Sequence, residues 1–291
     1  MEGRPLAAYE YKKTLKSTLS DELINTYLLR PIAGFIVRIL YSTRVTPNQV
    51  TIASTVAGLV AAGFYIQNDT GLTALAGLLV TLKDVLDSAD GQLARAKQQY
   101  SRIGRFLDSI GDFVVDLAVF GAIGWVLYTN TGNGWMLALA LAGLAGITLR
   151  VSYHVFYQSS YLHLEMKYQL NRVTEEITEE DQTGDAMALM LQRIFQIIYG
   201  WQDRLMARID EWSRRGVAGR EFSIRWYSDI VGLRLSGLLG IGTELFLLMI
   251  CSLFDGLLTY LYLNLFLMNT VLIASVVYRR WYLCNLISTK G

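Results

Sequence analysis

Long charge-free apolar runs alternate along the chain with short polar connectors. They predict six membrane-spanning helices at 48–67, 71–93, 104–128, 134–157, 230–252 and 256–278, each near the ~20 residues that cross ~30 Å of hydrocarbon as α-helix. Two segments follow a different rhythm. Residues 1–47 hold a charged leader and then ELINTYLLRPIAGFIVRILYS, whose apolar positions alternate with Arg30 and Arg38 at helical spacing, the pattern of an amphipathic helix lying at the membrane interface. Pro31 kinks or restarts that helix, and Pro47 suits the first turn of the following span. Between the fourth and fifth spans, residues 158–229 carry an acidic, turn-prone stretch, VTEEITEEDQTGD. After it comes AMALMLQRIFQIIYGWQDRLMARIDEW, an amphipathic helix or two, broken near Gly200. Trp201, Trp212 and Trp226 among many arginines suit a helix at the headgroup level; a helical hairpin packed on the rest of the protein is the competing expectation. The expected architecture is an all-α polytopic membrane protein in four parts: leader and interfacial helix (1–47), four spans (48–157), amphipathic excursion (158–229) and two final spans (230–291).

Composition agrees with this pattern. In 291 residues, 53% are hydrophobic and the mean hydropathy is +0.33, which excludes an ordinary soluble domain. Residues 1–20 are polar and lack an apolar core, so no cleavable signal peptide is expected. The distribution of charge says more than its net value of +1. Lys and Arg are absent from 45–82, 106–149 and 235–278, and the connectors QNDTG, TNTGNG and SLFDG carry no positive charge. The positive-inside rule therefore places both termini and the polar turn after the second span in the cytoplasm. The lipid bilayer is the expected partner, and nucleic acid is not. Cys251 and Cys284 fall at opposite ends of the last pair of spans and should not pair. His154 and His163 stand near the excursion without patterned Cys or carboxylate partners, which suits interfacial hydrogen bonding better than metal ligation.

Candidate chemistry concentrates between Asp87 and Asp112. Asp87 and Asp90 are three residues apart, Asp108 and Asp112 four apart, so on helices each pair projects from one face. The pairs meet if the chain turns back through the polar, basic residues 96–103, with Gly104 permitting close approach as the next helix begins. Four carboxylates gathered there repel one another unless a cation neutralises them. All-oxygen ligation selects a hard divalent ion, Mg²⁺ or Mn²⁺, and four carboxylates exceed what one water-retaining Mg²⁺ uses, which points to two ions. The alternative is a set of helix-end carboxylates salt-bridged to Arg95, Arg102 and Arg105. Asp84 and Asp116 extend the same stripes and are expected to pack beside the site.

The full string, Asp87-x-x-Asp90-Gly91-x-x-Ala94-Arg95, eight residues, then Gly104-x-x-x-Asp108-x-x-x-Asp112, resembles the signature of the CDP-alcohol phosphotransferase family. The resemblance extends upstream through RPIAGFIVRILYSTRVTPNQVTIAS, which is similar to the family's entry helix and its Thr-Pro-Asn-x-x-Thr segment at Thr46–Thr51. It implies that Asp87, Asp90 and Asp108 hold metal, and that Asp112 touches metal and serves as general base. Gly91 and Ala94 would lack bulk where cytidine diphosphate approaches, with Arg95 directed at the nucleotide or its phosphates. Asn48, Thr51 and Gly104 would lie against the substrate, and Ser101 on its phosphates; for Asn48 the other reading is a helix cap.

The implied reaction is metal-dependent transfer of a phosphoalcohol from a CDP-alcohol to an alcohol acceptor, with release of CMP, in phospholipid biosynthesis. Six spans resemble members that use CDP-diacylglycerol, with CDP-inositol or a CDP-aminoalcohol as the alternative donor. The acceptor stays open among glycerol phosphate, inositol phosphate, serine and other polyols. A phosphate-bearing acceptor needs a cationic pocket, for which Lys83, Arg105, Arg150 and Arg234 are placed at the expected cytoplasmic ends of spans. Family members often form homodimers. A cation-coupled transporter is the outside alternative; carboxylates at one rim, with no second copy of the motif, argue against it.

Overall fold

The computed structural model describes Tyr11 and residues 20–164 and 186–288, so the acidic stretch VTEEITEEDQTGD lies outside the described residues. Within them the chain is helical and contains no strand. A π-helical turn at Asn25–Leu29 runs into α1 (Arg30–Tyr41). Four long helices follow: α2 (Pro47–Ile66), α3 (Thr70–Lys97), α4 (Arg102–Thr131) and α5 (Trp135–Leu164). Then come α6 (Ala186–Arg214), α7 (Arg220–Tyr227), α8 (Ile230–Gly237), α9 (Ile241–Leu253), α10 (Leu257–Tyr262) and, through a second π-helical turn at Leu263–Leu267, α11 (Met268–Ser288).

Among the described residues, five segments are long and apolar enough to cross a bilayer: α2, α4, α5, Ile230–Leu253 and Leu257–Leu286. The remaining expected span forms as the 28-residue α3, but its second half carries Lys83, Asp84, Asp87 and Asp90. Outward-facing leucines, Leu75, Leu78 and Leu82, still line its first half. The boundaries follow local chemistry. Thr46 caps α2 in a reciprocal capping box: its hydroxyl accepts from Gln49 N, and Gln49 Oε1 accepts from Thr46 N at 2.9 Å, with Pro47 next in the first turn. Capping therefore belongs to Thr46 and not to Asn48. Asp69 and Ser101 cap α3 and α4 in the same way, accepting from Leu72 N at 2.9 Å and Gly104 N at 3.1 Å. Helix α3 continues to Lys97 and ends on a left-handed Gln98 (φ 53°), so the turn between the aspartate pairs is only 98–101, tighter than the sequence suggested.

Helix α2 packs on both α3 and α4, with α9 against α3 and α5 against α4. Small residues set the closeness of α2 and α4. A Cβ at Gly111 would come within 2.5 Å of Thr55 Oγ1, one at Gly58 would overlap Val115, and one at Gly104 would overlap the Asn48 carboxamide. One apolar core runs through Ala61, Tyr65, Val80, Val119, Phe120, Ile123, Ile147, Leu248 and Tyr260. A second joins Leu29, Ala33 and Val37 to Val85, Ala89 and Leu93, so the N-terminal helix is seated on α3.

Helix α6 departs from expectation in being continuous through Gly200. It packs against α4, α5 and α11, as the competing expectation had it, while still exposing Trp201 and Trp212. Its buried face carries Gln192, Gln202, Asp203, Asp210 and Ser213, whereas Met187, Met190 and Ile197 face outward, Ile197 at 76% exposure. Such an inverted amphipathic helix suits lipid outside and polar groups inside. Trp226 is not at a surface: it is fully buried, and its indole N–H donates to Asp210 Oδ1 at 2.8 Å. Both cysteines are free, Cys251 buried and Cys284 exposed, as their spacing implied.

Candidate active site

Two capped helices joined by four residues bring the aspartates together. Asp87 and Asp90 on α3 and Asp108 on α4 each offer a carboxylate oxygen, and these oxygens lie within 4.8 Å of one another. Three hard, anionic donors at that separation fit a divalent cation of the Mg²⁺ or Mn²⁺ type, and contain no sulfur or imidazole to favour zinc. Thr51, one turn into α2, fixes Asp90 by donating its hydroxyl to Oδ2. Asp112 lies one turn beyond Asp108 and forms an ion pair with Lys83, whose side chain is almost wholly buried. Asp84, Asp87 and Asp116 also face that ammonium.

The carboxylates open into a cavity of about 340 Å³. Of the residues singled out from the sequence, Asp87, Asp90, Asp108, Asp112, Gly91, Arg95 and Arg105 line it, together with Asp116. Arg95 folds back over Gly91, where an added Cβ would stand 3.5 Å from its Nη1. Arg105 lies over the Phe106 ring, 5.1 Å from the centroid. Others support the site from behind. Asn48 fills the space left by Gly104, Thr51 holds Asp90, and Ser101 caps α4; Ala94 is half-buried on α3, one turn beyond Asp90 and off the cavity.

The four expected acceptor cations separate. Arg105 is on the cavity, and Lys83 is committed to Asp112. Arg150 is fully buried in a different network, donating from Nε and Nη2 to Glu244 Oε1 at 2.8 and 2.5 Å and from Nη1 to Asn269 Oδ1 at 2.8 Å. Arg234 is exposed on α8, away from the cavity.

Residues 44–174 match the family model described as CDP-alcohol phosphatidyltransferase. The chain carries a CDP-alcohol phosphatidyltransferase domain. Among curated proteins it is 40% identical to an archaetidylinositol phosphate synthase of Pyrococcus horikoshii over 85 residues, 29% of this chain and 43% of that protein. It is 34% identical to a phosphatidylinositol phosphate synthase of Corynebacterium glutamicum over 118 residues, 40% of this chain and 51% of that one. It is 30% identical to a bifunctional IPC transferase and DIPP synthase of Thermococcus kodakarensis over 131 residues, 45% of this chain and 29% of that one. In each case the match spans little more than half of the relative's length at most.

The phosphatidyltransferase domain contains the aspartates and α2 to α5, but the cavity has walls beyond it. Asp21, Glu22, Asn25 and Arg30 line it from the N-terminal segment, and Phe195 and Tyr199 from α6. Tyr199 donates to Ser109 O at 2.7 Å, and Phe195 sits 5.4 Å from Phe106, ring to ring. Sequence reasoning missed these residues because no motif marks them; the polar inner face of α6 was the one available signal.

Proposed function

We propose that the protein transfers a phosphoalcohol group from a CDP-activated lipid alcohol, CDP-diacylglycerol or a close analogue, to a polyol acceptor, releasing CMP. The observation that carries this reading is the convergence of Asp87, Asp90 and Asp108 from two helices beside Asp112, at the wall of one cavity. Asp87, Asp90 and Asp108 would hold Mg²⁺ or Mn²⁺, with Asp112 available to a second ion. When bound, these ions supply the positive charge that the donor's diphosphate needs in the transition state. Gly91 leaves room for the nucleotide, and Arg95 and Arg105 offer guanidinium donors to phosphate oxygens.

Asp112 is the base. Its carboxylate takes the proton of the acceptor hydroxyl as the new O–P bond forms, while the bond between the two phosphates of the donor breaks and CMP leaves with the bridging oxygen. Lys83 keeps Asp112 turned toward the cavity. A polyol acceptor of the inositol class is supported by the names of the relatives above, two of which are inositol phosphate synthases.

Around this site we infer six spans, α3 included, with the aspartate turn and both termini cytoplasmic, and a homodimer. We infer the same four-part division of the chain with one amendment: residues 21–30 belong functionally with the domain, since Asp21, Glu22, Asn25 and Arg30 wall its cavity. The experiment is direct. Full-length protein in lipid nanodiscs, given radiolabelled CDP-diacylglycerol and an acceptor panel of myo-inositol, myo-inositol phosphate, glycerol phosphate and serine, should release CMP with an inositol acceptor. Absence of CMP release with every donor tried, including CDP-inositol and CDP-aminoalcohols, would sink the reading.

A further inference from the structure

One wall of the cavity is built without the aspartate helices. It consists of His154, Gln158 and Ser159 on α5 and of Asp21, Asn25 and Arg30 from the segment that enters α1. The latter three lie outside the residues matched by the family model. Polar contacts fix the two halves to each other. Gln158 Nε2 donates to Asp21 Oδ1 at 3.1 Å and to Ser20 O at 3.0 Å, and Arg30 Nη2 donates to Asp21 Oδ1 at 2.7 Å. Asn25 Oδ1 accepts from Ser88 Oγ at 3.1 Å. Arg30 is thereby matched by Asp21, and the wall as a whole presents neutral or neutralised donors and acceptors.

His154 stands apart in this wall. It is 3% exposed, lines the cavity, and its Nδ1 has no hydrogen-bond partner among the described residues. Gln158 follows it by one turn on the same face of α5. Leaving a buried polar atom unpaired is costly, so native folds keep such atoms where something else completes them. A hydroxyl, which both donates and accepts, suits a wall of imidazole, amide and alcohol groups. An ammonium would need a free carboxylate, but Asp21 is already bridged to Arg30 and Gln158, and Glu22, which also lines the cavity from this segment, accepts from Thr243 N at 3.1 Å and is pushed toward its protonated form by burial.

Resting on the phosphotransfer reading, we propose that His154 binds the acceptor: its Nδ1 meets a hydroxyl of a polyhydroxylated alcohol seated between α5 and residues 21–30, which turns another hydroxyl of the same molecule toward Asp112. The N-terminal segment is then a substrate-binding element of this chain as well as a membrane-proximal one. A site that hydrogen-bonds a substrate hydroxyl discriminates against alcohols lacking it.

The test exploits side-chain geometry. His154→Asn carries an amide near the position of Nδ1, whereas His154→Gln carries it near Nε2. With myo-inositol or myo-inositol phosphate as acceptor, whichever the wild type uses, His154→Asn should keep the acceptor KM within about threefold. His154→Gln and His154→Leu should raise it about tenfold or more, the size expected for one lost hydrogen bond to substrate. In all three, the KM for the CDP-alcohol, the Mg²⁺ concentration for half-maximal rate and the thermal midpoint should stay near wild type. Equal acceptor KM values for Asn and Gln overturn the assignment, as does a parallel rise in donor and acceptor KM with a fall in thermal midpoint, which marks a structural role. Wild-type protein that turns over serine but no polyol overturns the polyol assignment while leaving the phosphotransfer reading intact. Wild-type protein that releases no CMP with any acceptor refutes that reading itself.

Discussion

Arg150→Met distinguishes an acceptor ligand from a structural ion pair. The guanidinium is 0% exposed and gives three hydrogen bonds, two to Glu244 and one to Asn269. Glu244, equally buried, otherwise receives only Asn264 Nδ2 at 3.1 Å among the hydrogen bonds described for its side chain. Methionine preserves much of the volume but leaves the Glu244 carboxylate without a counter-charge inside the helix bundle. Breaking a buried pair in this way costs about 3–5 kcal/mol, which for a protein of this size lowers Tm by roughly 6–20 °C. The double change Arg150→Met with Glu244→Leu removes both charges and should recover most of the loss, to within roughly 5 °C of wild type, because two apolar side chains carry no desolvation penalty. Unfolding followed by tryptophan fluorescence in nanodiscs measures both variants, and acceptor KM is taken on whatever fraction is folded. A single variant with unchanged Tm and a raised acceptor KM would falsify this account and return Arg150 to the acceptor site. So would a double variant no more stable than the single one.

Chelation with EDTA should abolish CMP release, and Mg²⁺ or Mn²⁺ should restore it, since the Asp87, Asp90 and Asp108 donors are all hard oxygens; full activity after exhaustive chelation would refute the metal site. Asp112→Asn should lower kcat by a factor on the order of 10²–10⁴ while leaving CDP-alcohol binding measurable, because the amide cannot take the acceptor's proton; near-normal turnover would remove Asp112 as the base. Glu22 is buried, and burial first, then the nearby charges of Asp84 and Asp21, push its carboxyl up to about 8. The fold therefore favours the protonated acid, so its stability is fully present below the ordinary carboxylate range near 4.5 and declines as pH rises through about 8. Glu22→Gln should flatten the fall in Tm between those limits, and an unchanged pH profile in the variant would show that another group sets it.

The aspartate site was legible because its logic is local. Two carboxylates at i, i+3 and two at i, i+4, separated by one turn, needed only helices and a reversal, and the capping residues Asp69 and Ser101 mark where those helices begin. The five helices long and apolar enough to cross a bilayer were legible for the same reason, as runs of apolar residues. What could not be read were pairings between distant residues. Lys83 and Asp112 are 29 positions apart, and Arg150 and Glu244 are 94 apart. Two of the four basic residues expected at an acceptor phosphate were thus already committed to carboxylates within the fold. The inner wall was hidden for a similar reason. Asp21 and Gln158 meet across 137 residues, and no periodicity in either segment predicts the other. Gly200 misled because a glycine in a helix weakens it without ending it, and packing against α4 and α5 carries α6 through.

The glycine contacts between α2 and α4 bear on how the protein moves. At Gly58, Gly104 and Gly111 the two helices interlock so closely that a single added methyl would collide with the neighbour, and neither helix can slide past the other without unpacking both. The opposite side of the cavity adds exchangeable bonds to its apolar packing: Gln158 to Asp21, Tyr199 to Ser109, and Ser152 to Gln202 at 2.5 Å. Bonds of that kind can be traded for bonds to substrate or water at little net cost. The glycine seam between α2 and α4 keeps Asp108 and Asp112 in fixed register with Thr51, whose hydroxyl holds Asp90, so the carboxylates keep their spacing and the reacting groups need not be reassembled at each turnover.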